Sequence, residues 1–233
     1  MSEPLVLLPG MMCDARLFAA QIAGLSHSRP ILVVPPTGHD TVPALARAVL
    51  ETAPPRFALA GLSMGGIVAM EVIRLAPERV TRLALLDTNP RADPPGKATD
   101  RAAQVARAQG AGLAQVMQAE LIPYYLASED PEDPNLDLCL QMALDLGPDV
   151  FAAQSHALQT RPDQQESLRD VQVPTLVLCG TQDRLCPPAR HALMRDLIPG
   201  AELVQIPGTG HLPTIETPAA VTDALRHWLA RPA

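Results

Sequence analysis

The stretch that decides the reading is Phe57-Ala58-Leu59-Ala60-Gly61-Leu62-Ser63-Met64-Gly65-Gly66-Ile67-Val68-Ala69-Met70. A short apolar run, of the kind that forms a buried strand, enters a Gly-x-Ser-x-Gly-Gly turn. A helical stretch then runs from about Met64 to Ala76. At average glycine and serine frequencies the five-residue pattern arises by chance in about one chain in fifteen of this length, so its setting has to carry the argument. A serine at the tip of a sharp strand-to-helix turn is held in a strained backbone conformation. The residues two before and two after it crowd the turn, which calls for glycine at 61 and 65. The helix that follows is apolar nearly all round, as befits the middle of a sheet. Its N-terminus brings partial positive charge and free N–H groups beside Ser63.

Outward from the elbow, short aliphatic runs begin at Leu5, Ile31, Phe57, Leu83, Thr175 and Leu203, the first four at a constant spacing of 26 residues. Each is bounded by Gly, Pro, Asn or Asp, the mark of buried parallel strands. Between Ile31 and Phe57, Val42, Leu45, Ala46, Val49 and Leu50 recur with helical period, with Asp40 or Thr41 as N-cap and Pro43 in the first turn. A last helix starts at Thr217-Pro218 and presents Val221, Leu225, Trp228 and Leu229. Repeated strand–helix–strand units make a mostly parallel sheet of about six strands with helices on both faces.

The fourth and fifth runs stand much farther apart. The intervening segment, about 91–174, holds helix-like stretches near 98–109, 112–126, 135–146 and 148–159. An insertion after a strand at the carboxyl edge of such a sheet lies where ligands bind. It is expected to be a helical cap over the site, within a single domain spanning residues 1–233.

A serine hydroxyl is a weak nucleophile and needs a base, and the base needs an orienting group. Two later loops supply both. The run Thr175–Cys179 ends in Gly180-Thr181-Gln182-Asp183, and the run Leu203–Ile206 ends in Pro207-Gly208-Thr209-Gly210-His211. Both leave the same edge of the sheet as Ser63. Asp87, at the end of the run from Leu83, is the competing acid, its ordinary reading being a strand-end residue that accepts loop N–H groups.

With Gly61-x-Ser63-x-Gly65, Gly180-x-x-Asp183 and Gly208-x-Gly210-His211 in that order, the chain resembles the α/β-hydrolase superfamily over essentially its whole length. The resemblance implies an α/β-hydrolase fold with a helical cap insertion, Ser63 as nucleophile, Asp183 as acid and His211 as base. It also implies an oxyanion hole from the backbone N–H groups of Met11 and Met64. Two departures stand out: Pro9-Gly10 replaces the His-Gly that many members carry after the first core strand, and two short strands that usually precede that strand are absent.

The expected activity is hydrolysis of a carboxylic ester of a small or medium apolar substrate through an acyl-enzyme, with no cofactor and no metal. The same triad can also cleave carbon–carbon bonds of ring-fission products or thioesters, or release an N-terminal proline. For the last of these the acidic turn 129–133 would have to face the pocket. A non-catalytic small-molecule receptor on this fold is the alternative from another class. Met12, Tyr124, Tyr125, Phe151 and Leu212 are candidate pocket residues, those in the insertion having core packing as their ordinary role. His39 sits in a loop at the same edge, whereas His27, His156, His191 and His227 carry no motif.

Composition narrows the classes. Hydrophobic residues make up 47% and charged residues 18%, a globular balance. A formal net charge of -7 offers no basic stripe for nucleic acid. No apolar run is long enough to cross a membrane. The first residues, Met1-Ser2-Glu3-Pro4, lack the cationic start of a signal peptide. Cys13, Cys139, Cys179 and Cys186 show no CxxC spacing, so reduced thiols in a cytoplasm are expected. Composition leaves the oligomeric state open.

Overall fold

The computed structural model describes residues 3–94, 96–109 and 112–232. Six strands form one sheet in the order β2-β1-β3-β4-β5-β6, and every pairing is parallel. They are β1 (Leu5–Leu8), β2 (Ile31–Val33), β3 (Phe57–Leu62), β4 (Val80–Leu86), β5 (Thr175–Gly180) and β6 (Glu202–Ile206). β4 starts at Val80 rather than at Leu83. The polar pair Thr81-Arg82 hides its first turn of pleat, and the β3 register slips there, Phe57 pairing with Val80 and Ala58 with Arg82.

Alternate residues of the central strands enter two separate apolar layers. Leu5 and Leu7 face α1 (Ala19–Leu25) and the last helix (Pro218–Ala230); Val6 and Leu8 face α2 (Val42–Thr52), α3 (Met64–Leu75) and α7 (Pro188–Leu197). Burial on both faces explains why these strands read as unbroken apolar runs. The chain is an α/β-hydrolase fold. The helices α1 and α7 carry no clear pattern in the sequence. α1 buries only Gln21 and Leu25 and is led in by a 3₁₀ turn at Ala15–Phe18, so its period is too short to stand out.

α3 is buried from Met64 to Ile73, including one carboxylate, Glu71. Arg74 Nη2 at 2.7 Å and Gln164 Nε2 at 2.9 Å donate to it, which makes a charge tolerable on an otherwise apolar helix.

The insertion carries α4 (Lys97–Ala108), α5 (Leu113–Val116) and α6 (Pro134–Gln159). The stretch expected as one helix over 112–126 is broken: α5 gives way to a π turn at Met117–Leu121 and a 3₁₀ turn at Ile122–Tyr124, where Pro123 lacks an amide. The two helices expected at 135–146 and 148–159 abut. Gly147, at φ 82°, breaks the backbone between them, and Pro148 begins the second. Apolar residues of the insertion (Leu113, Met117, Met142, Phe151) belong to the same cluster as Leu5 and Leu7 of the sheet. Among the described residues no helix is long and apolar enough to cross a membrane.

Candidate active site

Ser63 stands between β3 and α3 with φ 53° and ψ -115°, a region that residues with a β-carbon rarely occupy. The strain is held by packing on every side. The Ser63 amide donates to Leu86 O at 2.9 Å, and Thr88 Oγ1 donates to the Ser63 carbonyl at 2.7 Å. A β-carbon on Gly61 would fall on the Gly65 backbone, and one on Gly65 would fall on the Leu8 carbonyl, so no other residue fits either position.

The β6 loop returns over this elbow. His211 Nε2 lies 2.9 Å from Ser63 Oγ, and His211 Nδ1 lies 2.9 Å from Asp183 Oδ2. The other oxygen of Asp183 accepts the amides of Leu185 at 2.8 Å and Cys186 at 2.9 Å. Burial by itself would raise the Asp183 pKa. The facing His211 and these donors outweigh it and hold the carboxyl below its ordinary value.

Asp87 lies behind this pair, fully buried, at φ 43°. Its Oδ1 accepts the Gly180 amide at 2.9 Å, and its Oδ2 has no partner among the described residues. Ligand atoms of Asp87, Asp183 and His191 lie within 4.8 Å of one another. Burial and the charge of Asp183 push the Asp87 carboxyl well up. Asp87 makes no hydrogen bond to His211; it ties β4 to the start of the Asp183 loop.

In front of Ser63 is a cavity of about 310 Å³. Met11, Met64, Tyr125 and Leu212 line it. As the first residue of α3, Met64 has an amide with no intrahelical acceptor. Gly10 brings the β1 loop against the Ser63 side chain, a β-carbon there standing 3.4 Å from Ser63 Cβ. Three expected pocket residues are elsewhere. Met12 is fully buried below the loop, its amide donating to Gln154 Oε1 at 2.9 Å. Phe151 is fully buried in the apolar cluster because α6 turns it toward the sheet. Tyr124 is 46% exposed and stacks under Arg184 on the outside of the insertion. Glu129 and Asp130 of the acidic turn line a different cavity, with Arg184. His39 lines a separate cavity beside α6, away from Ser63.

A profile of the alpha/beta hydrolase family matches residues 5–224. The chain belongs to this family. It is 31% identical to a thermophilic esterase from Thermogutta terrifontis, solved with malate bound, with a TM-score of 0.85 over 98% of this chain and 90% of that one. A pimeloyl-[acyl-carrier protein] methyl ester esterase of Nitrosomonas europaea is 27% identical over 231 residues, 92% of this chain and 90% of that protein. The enol-lactonase of Burkholderia xenovorans LB400 shares the fold at a TM-score of 0.89 and 24% identity, over 99% of this chain and 91% of that one.

Several residues of this hydrolase site have no sequence signature. Glu216 collects the amides of Ala127 at 2.7 Å, Gly210 at 3.0 Å and Leu212 at 3.2 Å, joining the histidine loop to the insertion. The His211 amide donates to Tyr125 O at 2.9 Å across the same seam. Gln154, fully buried on α6, bridges the Met12 amide and the Pro36 carbonyl. His191 Nε2 accepts the Thr88 amide at 3.0 Å, beside the elbow. Each is a lone polar residue in an apolar or loop context, and only the folded contacts distinguish it.

Proposed function

We propose that the chain hydrolyses small carboxylic esters by two-step acyl transfer. The observation that carries this is the His211 ring spanning Ser63 Oγ and Asp183 Oδ2, with the serine on a strained turn at the mouth of a cavity. Ser63 attacks the ester carbonyl while His211 takes its proton, and the Met11 and Met64 amides receive the developing oxyanion. His211 then protonates the departing alcohol. In the second step it draws a proton from water, whose oxygen attacks the acyl carbon and releases the acid and free Ser63. Asp183, accepting from Nδ1, holds the required tautomer and favours the transient imidazolium.

The family match and the esterase relatives support ester cleavage, and methyl esters are the first substrates to try because the Nitrosomonas europaea relative is named for one. Residues 91–174 act as a cap within one domain, supported by their share in the sheet's own apolar cluster. An amino-terminus site for proline release has lost its motive, since the acidic turn lines another cavity.

The test is Ser63→Ala against a panel of p-nitrophenyl and methyl esters. The variant is expected to fold as the parent does and retain at most the residual rate that oxyanion donors and binding supply. A fluorophosphonate probe should label the parent at Ser63 alone. Undiminished turnover by the variant, or labelling of another serine, refutes the assignment.

A further inference from the structure

The whole chain carries a formal charge of -7, yet four cations line the cavity in front of Ser63 against one carboxylate. They are Lys97, the chain's only lysine, with Arg101, Arg161 and Arg190; the carboxylate is Asp93. Given an ester hydrolase acting through Ser63, we propose that its substrate carries a second, anionic group beside the scissile ester, held by this cluster. The class is the half-ester of a short dicarboxylic acid, or an ester bearing a phosphate at the same distance.

The charges do not cancel internally. Asp93 is shared, with Oδ2 at 2.6 Å from Arg101 Nε and Oδ1 at 2.7 Å from Arg161 Nη1. One carboxylate between two guanidiniums leaves one positive charge over. Arg161 is only 8% exposed, and burial works against its charge. Its Nε donates to Arg91 O at 2.8 Å and its Nη1 to Leu158 O at 3.0 Å. Among the described residues its Nη2 has no protein hydrogen-bond acceptor, and the side chain lines the cavity. Holding an arginine there with half a counter-ion is costly unless something else completes the pairing.

Lys97 and Arg190 add two cations with no carboxylate in ion-pair range among the described residues. They reach the cavity from different elements, Lys97 from the start of α4 and Arg190 from α7, so they converge on one space rather than striping one helix. Cations lining a concave, partly apolar site concentrate anions there. Arginine forks also suit carboxylate and phosphate oxygens.

Size and apolar lining set the rest. A cavity of about 310 Å³ lies at the small end for ligand sites. Ile67, Leu121, Tyr125 and Leu158 give the carbon chain an apolar wall, so the substrate is a short chain with an ester at one end and the charge at the other. The expected apolar substrate thus gains an anionic terminus.

The experiment compares kcat/KM for monomethyl and dimethyl succinate, glutarate and adipate at low ionic strength. A parallel arm uses methyl esters of phosphate-capped hydroxy acids. The anionic esters are expected to be preferred by at least about tenfold, and the better arm identifies carboxylate or phosphate as the bound group. The preference should shrink with added salt and fall toward one in Arg190→Gln combined with Lys97→Met, which spare the Asp93 bridge. Dimethyl esters turned over as well as every anionic ester would overturn the inference while leaving ester hydrolysis intact. A preference that survives the double variant would overturn it too. Absence of turnover on all esters, p-nitrophenyl acetate included, would remove the hydrolase reading itself and this inference with it.

Discussion

At the scale of single residues, the two buried aspartates separate cleanly. Asp183 accepts from His211 Nδ1, whereas Asp87 meets an amide and its carboxyl is pushed well up by burial and by Asp183. An amide in place of the carboxylate that orients the histidine leaves its shape but favours the wrong tautomer. That change cost about four orders of magnitude in a serine protease. Asp183→Asn is therefore expected to lower turnover at least about a hundredfold with the fold retained. Asp87→Asn replaces a carboxyl whose charged form burial disfavours by its near-isostere, and asparagine tolerates a positive φ better than most residues. It should cost under about tenfold. Turnover at saturating substrate, with circular dichroism on both variants, checks the ranking; the reverse order would move the orienting role to Asp87.

At the scale of elements, the insertion's aromatic residues have different duties. Phe151 on α6 is fully buried among residues shared with the sheet, while Tyr124 lies on the outer face. Phe151→Ala opens a cavity in packed core and is expected to cost about 3–5 kcal/mol of stability. Tyr124→Ala should stay within about 0.5 kcal/mol, as an exposed substitution does. Neither should shift preference among acyl chain lengths, because neither lines the cavity. Denaturant melts combined with chain-length profiles decide this: an altered profile for Phe151→Ala without a stability loss would show that α6 reaches the substrate.

At the scale of the whole molecule, the buried His191 links stability to pH, opposed by Asp87, whose raised carboxyl favours the fold as pH falls. Burial lowers His191 from the ordinary imidazole value to about 4, against the opposing pull of Asp183. Below about pH 6.5 the unfolded chain takes up a proton that the folded chain refuses, so stability falls as pH falls toward 4. The full shift corresponds to roughly 3 kcal/mol. Asp183, whose pKa is lowered in the fold, also loses its contribution on acidification, but at lower pH. His191→Gln keeps an acceptor in reach of the Thr88 amide and removes the titration. Its melting temperature should fall less than the parent's as pH drops from about 7 to about 4.5. Parallel curves for the two proteins would exclude His191 as the sensor.

What the sequence determined by itself was everything governed by local rules. Strands buried on both faces show as unbroken aliphatic runs at regular spacing, and α2, α3 and the last helix show as apolar positions with helical period. The elbow shows because Gly61 and Gly65 leave no room for a β-carbon. Loops leaving the same edge of a parallel sheet converge, so Ser63, Asp183 and His211 are legible as neighbours in the sequence itself. What only the tertiary structure decided depends on contacts between residues far apart in the chain. The opening of β4 at Val80 depends on pairing with β3, and the break in the 112–126 helix on how that segment meets the sheet's core. The inward turn of Phe151, the outward turn of Tyr124 and the gathering of Lys97, Arg161 and Arg190 around one cavity were equally hidden. A side chain's direction in an insertion is set by its packing partners, and no local pattern encodes which partners those are.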